Sequence, residues 1–286
     1  MWNSNFVTNG IEISRKPECL QVLTEKGLSA VYLQFDGLTK ETYLKIRGQD
    51  MGEVRRRAVS AIRKAKICCT LAVAVTRHIN DGELGDIVRF GIANIDTVRA
   101  INFQAAARFT GRFDIAHSGD VYSTKELIDR IETQLDLEKG GFLTDILGHH
   151  QCNALSMLYV VDGKLEPLFR YLSNSTIKRF LGADKRQTIL DLFMGKERFV
   201  RKYIFRPTTW KLLSEAAAIF GNKPSIKSVL QAKHILLFAK SFMEKESFSS
   251  PRMEECCYGL SDTNGVYSFC AFNNFHRFPS KMNSND

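Results

Sequence analysis

Amides, hydroxyls and one carboxylate recur where apolar runs break off in this chain. Asn9 follows "NFVT", Gln34 and Asp36 interrupt "VYLQFDG", Thr76 and Asn80 follow "ICCTLAVAV", and Asn102 and Gln104 sit in "TVRAINFQ". Such side chains donate and accept hydrogen bonds, so four clusters in register have the chemistry of a polar ligand site. Taken singly, each also serves to cap a helix or close a turn. The second reactive set is thiols. Cys152 follows two histidines in "HHQC", Cys256 and Cys257 are adjacent, and Cys270 ends "GVYSFC". Cys256 or Cys257 precedes a hairpin pattern around Asp262-Thr263-Asn264-Gly265 and Cys270 follows it. That brings thiols together, with Cys152 supplied from elsewhere. A metal site on Cys152, Cys256 and Cys270 stands against the plainer reading of buried cysteines as small apolar residues. His149, His150 and His276 read as structural or solvent-facing. The paired spacing of a zinc ribbon is absent.

The elements that position these residues alternate. The four apolar runs have strand character, and helical patterns separate them. Thr39 caps a short helix that stops at Gly48, and Asn80 with Glu83 reads as a capping box for the helix "ELGDIVRFGIAN". Strands alternating with helices imply βαβ units and a parallel sheet, whose ligands lie at the carboxyl ends of the strands. Beyond about residue 118 the pattern turns helical, with a capping box from Ser123 to Glu126 and basic amphipathic stretches between Asn174 and Lys245.

Composition bounds the function. With 286 residues and 44% hydrophobic content the chain can bury a real core. Its longest apolar run is about half a membrane span, and "MWNSNF" has no charged-then-apolar pattern, so a cytoplasmic location is expected. Seven scattered cysteines argue against a secreted disulfide framework. The formal charge of +9 is compatible with an anionic partner, yet no phosphate loop, nucleophile motif or nucleic-acid module is present. The basic run "RRRAVSAIRKAK" puts Arg55, Arg56, Arg57, Arg63 and Lys64 largely on one helical face, expected to be solvated.

"TNG" ending a strand, followed by "YLQFDGLTKETYLKIRG", "INDGELGDIVRFGIANIDTVRAINFQ" and "FTGR", resembles the middle of a radical S-adenosylmethionine enzyme barrel. These stretches closely resemble the archaeal tetraether lipid synthase branch and its relatives, and "HHQCNALSMLYVVDGKLEPLFRYL" and "FCAFNNFHR" resemble that branch's C-terminal segments. The resemblance implies an α/β fold: a partial (β/α) barrel over 1–117 lacking its first strands, then a mostly helical region over 118–286 that ends in a short β-hairpin. It implies that Asn9, Gln34, Asp36, Thr76, Asn80, Asn102 and Gln104 line the ribose and adenine side of S-adenosylmethionine. The Cys152 position matches a family cysteine that takes part in auxiliary iron sites.

In that family three cysteines hold a [4Fe-4S] cluster, and a single electron then cleaves a carbon–sulfur bond of the cofactor. Neither that cysteine spacing nor the glycine-glycine-glutamate motif occurs here. The chain thus reads as a family member lacking its N-terminal segment, not expected to hold cluster and cofactor alone. Its expected partner is an upstream-encoded fragment carrying the cluster motif. Completed, it would abstract hydrogen from an unactivated carbon of a lipid or other hydrophobic substrate, with peripheral contact to a membrane. The alternative is a non-catalytic remnant or interaction subunit, and an ordinary barrel enzyme for a phosphorylated metabolite lacks its phosphate loop.

Overall fold

The structure, a computed structural model, describes residues 4–108, 121–144, 146, 148–182, 187–189, 191, 201–221, 225–263 and 265–276. The apolar runs become strands: β1 (Ser4–Thr8), β2 (Leu28–Gln34), β3 (Cys68–Val75) and β4 (Val98–Ala105). All pair in parallel, β1 on β2, β2 on β3 and β3 on β4. Parallel neighbours need crossovers. These are α1 (Ile11–Arg15) with α2 (Cys19–Glu25), then α3 (Lys40–Arg47) with α4 (Gly52–Lys64), then α5 (Leu84–Ala93).

The sequence reading is corrected beyond residue 118, where the chain adds three strands to the same sheet. They are β5 (Asn153–Val161), β6 (Lys164–Pro167) and β7 (His234–Lys240). The order is β1-β2-β3-β4-β7-β5-β6, an open seven-stranded sheet. β7 runs parallel to β4, while β5 is antiparallel to β7 and β6. "NALSMLYVV" and "HILLFAK" are short apolar runs buried on both faces, so neither shows the alternation that marks a half-exposed strand. The open sheet agrees with an incomplete barrel. The hairpin also forms, as β8 (Gly259–Asp262) and β9 (Gly265–Ser268). The 117/118 boundary, "FTGR" and Asn264 lie outside the described residues.

The two faces of the sheet bury different partners. Val31, Leu33, Leu71, Val73, Ile101, Phe103, Ile235 and Leu237 pack against α1, α2, α4, α5 and α6 (Thr124–Leu135). Each such aliphatic residue contributes about 1.5–3 kcal/mol by leaving water. Gly91 on α5 permits this approach, because a Cβ there would lie 2.8 Å from Ile101 Cδ1 and 2.9 Å from Ile235 Cδ1. On the opposite face Ala100, Leu155, Met157, Tyr159 and Leu236 pack under α7 (Asn174–Leu181) and the helices Pro207–Ala216 and Ile226–Gln231. This second layer covers the amino-terminal half of β4 and β7. The carboxyl half of that face stays open.

Of three expected caps, two form and one does not. Thr39 caps α3 as read, accepting from Thr42 N, and Gly48 ends it at φ 71°. Ser123 and Glu126 form their capping box on α6. The Asn80–Glu83 box does not form: Glu83 is itself the N-cap residue of α5 and makes no side-chain cap bond there. Its carboxylate instead accepts from Leu38 N at 2.6 Å and Thr39 N at 3.2 Å, where α3 begins. Unpaired amides at a helix start attract a carboxylate from any element within reach. The solvated basic face also needs correction, since Arg55 is 1% exposed. It donates to Asn9 O and lies 5.8 Å from the Tyr43 ring centroid.

Candidate functional site

A cavity of about 380 Å³ opens at the carboxyl ends of β2, β3, β4 and β7. Tyr32, Arg47, Thr76, Gln104 and Lys240 supply its polar groups, and Phe242, Tyr258 and Phe269 its aromatic wall. Side-chain alternation explains the set. Ala74, Gln104 and Lys240 are register partners across β3, β4 and β7, so all three point to the same face. Below them Tyr32 Oη accepts from Asn102 Nδ2 at 2.5 Å and from Gln104 Nε2 at 2.8 Å. Burial pushes the Tyr32 phenol up, outweighing the Asn102 hydrogen bond, so it stays protonated at neutral pH. Asn102 Oδ1 is buried with no partner among the described residues.

Arg47 reaches the cavity from the end of α3. Its Nε donates to Asp36 Oδ2 at 2.7 Å, and the Asp36 side chain is fully buried. The other Asp36 oxygen accepts from Ala74 N at 3.1 Å. The Gln34 amide lies between Arg47 and Arg55, and with its oxygen turned to Arg47 it accepts from both terminal nitrogens, NH1 at 3.1 Å. Gln34 thus lies on the inner face but off the cavity wall, where it fixes the guanidinium.

The seven residues singled out at the strand ends therefore divide. Thr76 and Gln104 line the cavity. Asn102 lies beneath it on Tyr32, and Gln34 and Asp36 hold Arg47. Asn80 is fully buried: its Oδ1 accepts from Thr76 N at 2.7 Å, and its Nδ2 donates to Asp36 O and Ala74 O. Such an amide ties three backbone segments and has no hydrogen left for a ligand. Asn9 is exposed and accepts from Ile11 N in a local turn. The sequence reading missed Tyr32, Arg47 and Lys240. Tyr32 shares the parity of Gln34, Arg47 precedes the helix-ending Gly48, and Lys240 ends the apolar run "HILLFA".

Lys240 is the more deeply buried of the cavity's two cations. It is 6% exposed, donates to Tyr258 Oη and stands 4.1 Å from that ring's centroid. Burial lowers its pKa to about 8, with the nearby Cys257 opposing the shift. Lys240 also borders a smaller pocket of about 20 Å³, around which Cys152, Cys256, Cys257 and Cys270 gather. Arg252 Nε donates to Cys152 Sγ at 3.2 Å, Met243 N to Cys270 Sγ at 3.4 Å, and Cys256 Sγ to Tyr258 O at 3.4 Å. Burial, with smaller contributions from Cys256 and Cys152, pushes the Cys270 thiol up to about 11. All seven cysteines are unbridged. Among the described residues no group of three or more His, Cys, Asp or Glu is placed to hold a metal ion. His149 and His150 stack on one another at 4.3 Å, and His276 lies 4.1 Å from the Tyr267 ring.

A mostly parallel α/β sheet with a ligand-sized cavity at its strand ends defines a mouth of the kind that binds small organic ligands. No family model matches the chain. The chain is similar to the 7,8-dihydro-6-hydroxymethylpterin dimethyltransferase of Methanocaldococcus jannaschii, 28% identical over 321 aligned positions that take in 95% of this chain. The alignment covers 61% of the relative, so the chain spans about three fifths of its length. This similarity supports a relation to radical S-adenosylmethionine enzymes and does not single out the tetraether lipid synthase branch. Among the described residues no helix is long and apolar enough to cross a membrane.

Proposed function

We propose that the chain forms the adenosyl-facing wall and substrate mouth of a radical S-adenosylmethionine-type enzyme acting on an unactivated carbon. The observation that carries this reading is the convergence of Tyr32, Thr76 and Gln104 on one apolar-walled cavity at the strand ends. An adenosyl group fits that donor set. Gln104 and Thr76 offer hydrogen bonds at the wall, and the buried acceptor Asn102 Oδ1 lacks a partner among the described residues. Asp36 and Gln34 hold the Arg47 guanidinium at the rim, and the aromatic wall excludes water.

The cofactor, when bound to a reduced cluster, supplies a hydrogen-abstracting group. The described thiols do not have the arrangement of that cluster's ligands, so no step is assigned to them. The cluster would come from a partner fragment pairing at the edge of β1 that no described strand covers, where Val7 is 72% exposed and Phe6 39%. A methyl acceptor resembling that of the Methanocaldococcus enzyme is the first candidate substrate class. A lipid chain is the second, favoured by a largely apolar cavity of about 70 Å³ under α7, lined by Leu155, Met157, Phe180 and Leu213 with His234 at its wall. A metal held by Cys152, Cys256 and Cys270 would require the side chains round the smaller pocket to turn toward one centre.

Saturation-transfer NMR with S-adenosylhomocysteine at millimolar concentration tests the reading. Adenine and ribose protons are expected to receive saturation from the unaltered chain, and Gln104→Ala with Thr76→Val should reduce it several-fold. No transfer, or transfer untouched by the double substitution, would refute it.

A further inference from the structure

Arg47 and Lys240 are the two cations of the strand-end cavity, and they differ in what balances them. Arg47 is neutralised by the buried Asp36 carboxylate at 2.7 Å. Lys240 has no carboxylate partner among the described residues; its ammonium meets the Tyr258 hydroxyl and aromatic faces, with Cys257 nearby. An ammonium that is 6% exposed and has no carboxylate counter-ion among the described residues is costly to bury. The lowered pKa near 8 expresses the same penalty, yet leaves the group largely charged at pH 7. With no carboxylate of its own at the end of β7, the Lys240 ammonium can receive an anion that enters through the cavity. Phe242, Tyr258 and Phe269 line the same cavity, and flat rings stack on such walls.

We propose that Lys240 anchors the carboxylate of a planar aromatic or heteroaromatic substrate whose ring lies against Phe242, Tyr258 and Phe269. The inference rests on reading the cavity as the ligand mouth, and it adds a charge requirement that the cofactor reading does not contain. A charge-assisted hydrogen bond in a dry cavity is worth about tenfold or more in affinity.

Calorimetry with 2-naphthoate and its neutral counterpart 2-naphthylmethanol is the test. The unaltered chain is expected to bind the carboxylate about tenfold more tightly than the alcohol. Lys240→Met and Lys240→Gln should each bring the two ligands to near equality, with circular dichroism confirming the fold. Equal affinity in the unaltered chain overturns the proposal whatever the variants do, as does a preference that survives both substitutions. S-adenosylhomocysteine and 5′-methylthioadenosine, which lacks the amino-acid carboxylate, separate the two sources of negative charge. If Lys240→Met weakens only S-adenosylhomocysteine and leaves 2-naphthoate unchanged, the anchor serves the cofactor and the substrate proposal fails. Within this comparison, binding of 5′-methylthioadenosine bears on the adenosyl reading, which stands or falls separately.

Discussion

Arg47 Nε donates to Asp36 Oδ2 at 2.7 Å, from the last turn of α3 to a carboxylate just past the end of β2. One bond therefore joins a crossover helix to the strand ends and fixes a cation at the cavity rim. Asp36 also accepts from Ala74 N, so it ties β3 into the same joint. Asp36→Ala leaves the half-buried guanidinium and the Ala74 amide without their acceptor. A loss of about 2–4 kcal/mol in urea unfolding is expected, since breaking a buried pair strands its partner. A loss under about 0.5 kcal/mol would show that water replaces the carboxylate freely.

Tyr32 is the shared acceptor for Asn102 and Gln104. Tyr32→Phe removes that oxygen while keeping the ring, and two amide donors lose their partner. The expected cost is about 1–3 kcal/mol. Gln104 is then free to turn into the cavity, so saturation transfer from S-adenosylhomocysteine should persist. Unchanged stability in thermal and urea unfolding would place the two amides in other hydrogen bonds.

Lys240 makes stability depend on pH in a defined direction. Its folded pKa, about 8, lies below the ordinary lysine value of about 10.4, so between these the unfolded chain binds more protons. Its contribution to stability therefore rises with pH through that window, by up to about 3 kcal/mol, and is absent below it. Lys240→Met should be more stable than the unaltered chain at pH 7, with the gap closing toward pH 10. A gap that stays constant from pH 7 to 10 would mean that Lys240 titrates normally.

Anaerobic reconstitution of the chain with iron, sulfide and reductant should yield no 5′-deoxyadenosine from S-adenosylmethionine. No three cysteines have the required spacing, and the thiols round Cys270 are not placed as cluster ligands. Sustained production would show that those thiols rearrange into a working site.

The first four strands and the α3 cap were legible because short apolar runs that end in polar residues, the Thr39 cap and Gly48 act locally. What escaped the sequence depends on long-range partners. Glu83 pairs with α3 rather than with its own helix, and Arg55 is buried by Asn9 and Gln34 from other elements. β5 and β7 lack alternation because helices cover both faces of the sheet there. The polar strand ends mark the neighbourhood of the cavity, but which side chains reach its wall is set by parity and register. Those bring Tyr32 and Lys240 to the wall and commit Asn80 to backbone groups.

In the proposed function, S-adenosylmethionine-type ligands enter the mouth at the ends of β2, β3, β4 and β7. Photolabelling with 8-azido-S-adenosylmethionine, followed by peptide mass spectrometry, locates that entry. Label is expected within residues 32–47, 74–76 or 104–107, diminished by excess S-adenosylhomocysteine. Label confined to the surface of the helices over 174–231, or label that excess S-adenosylhomocysteine does not displace, would contradict it.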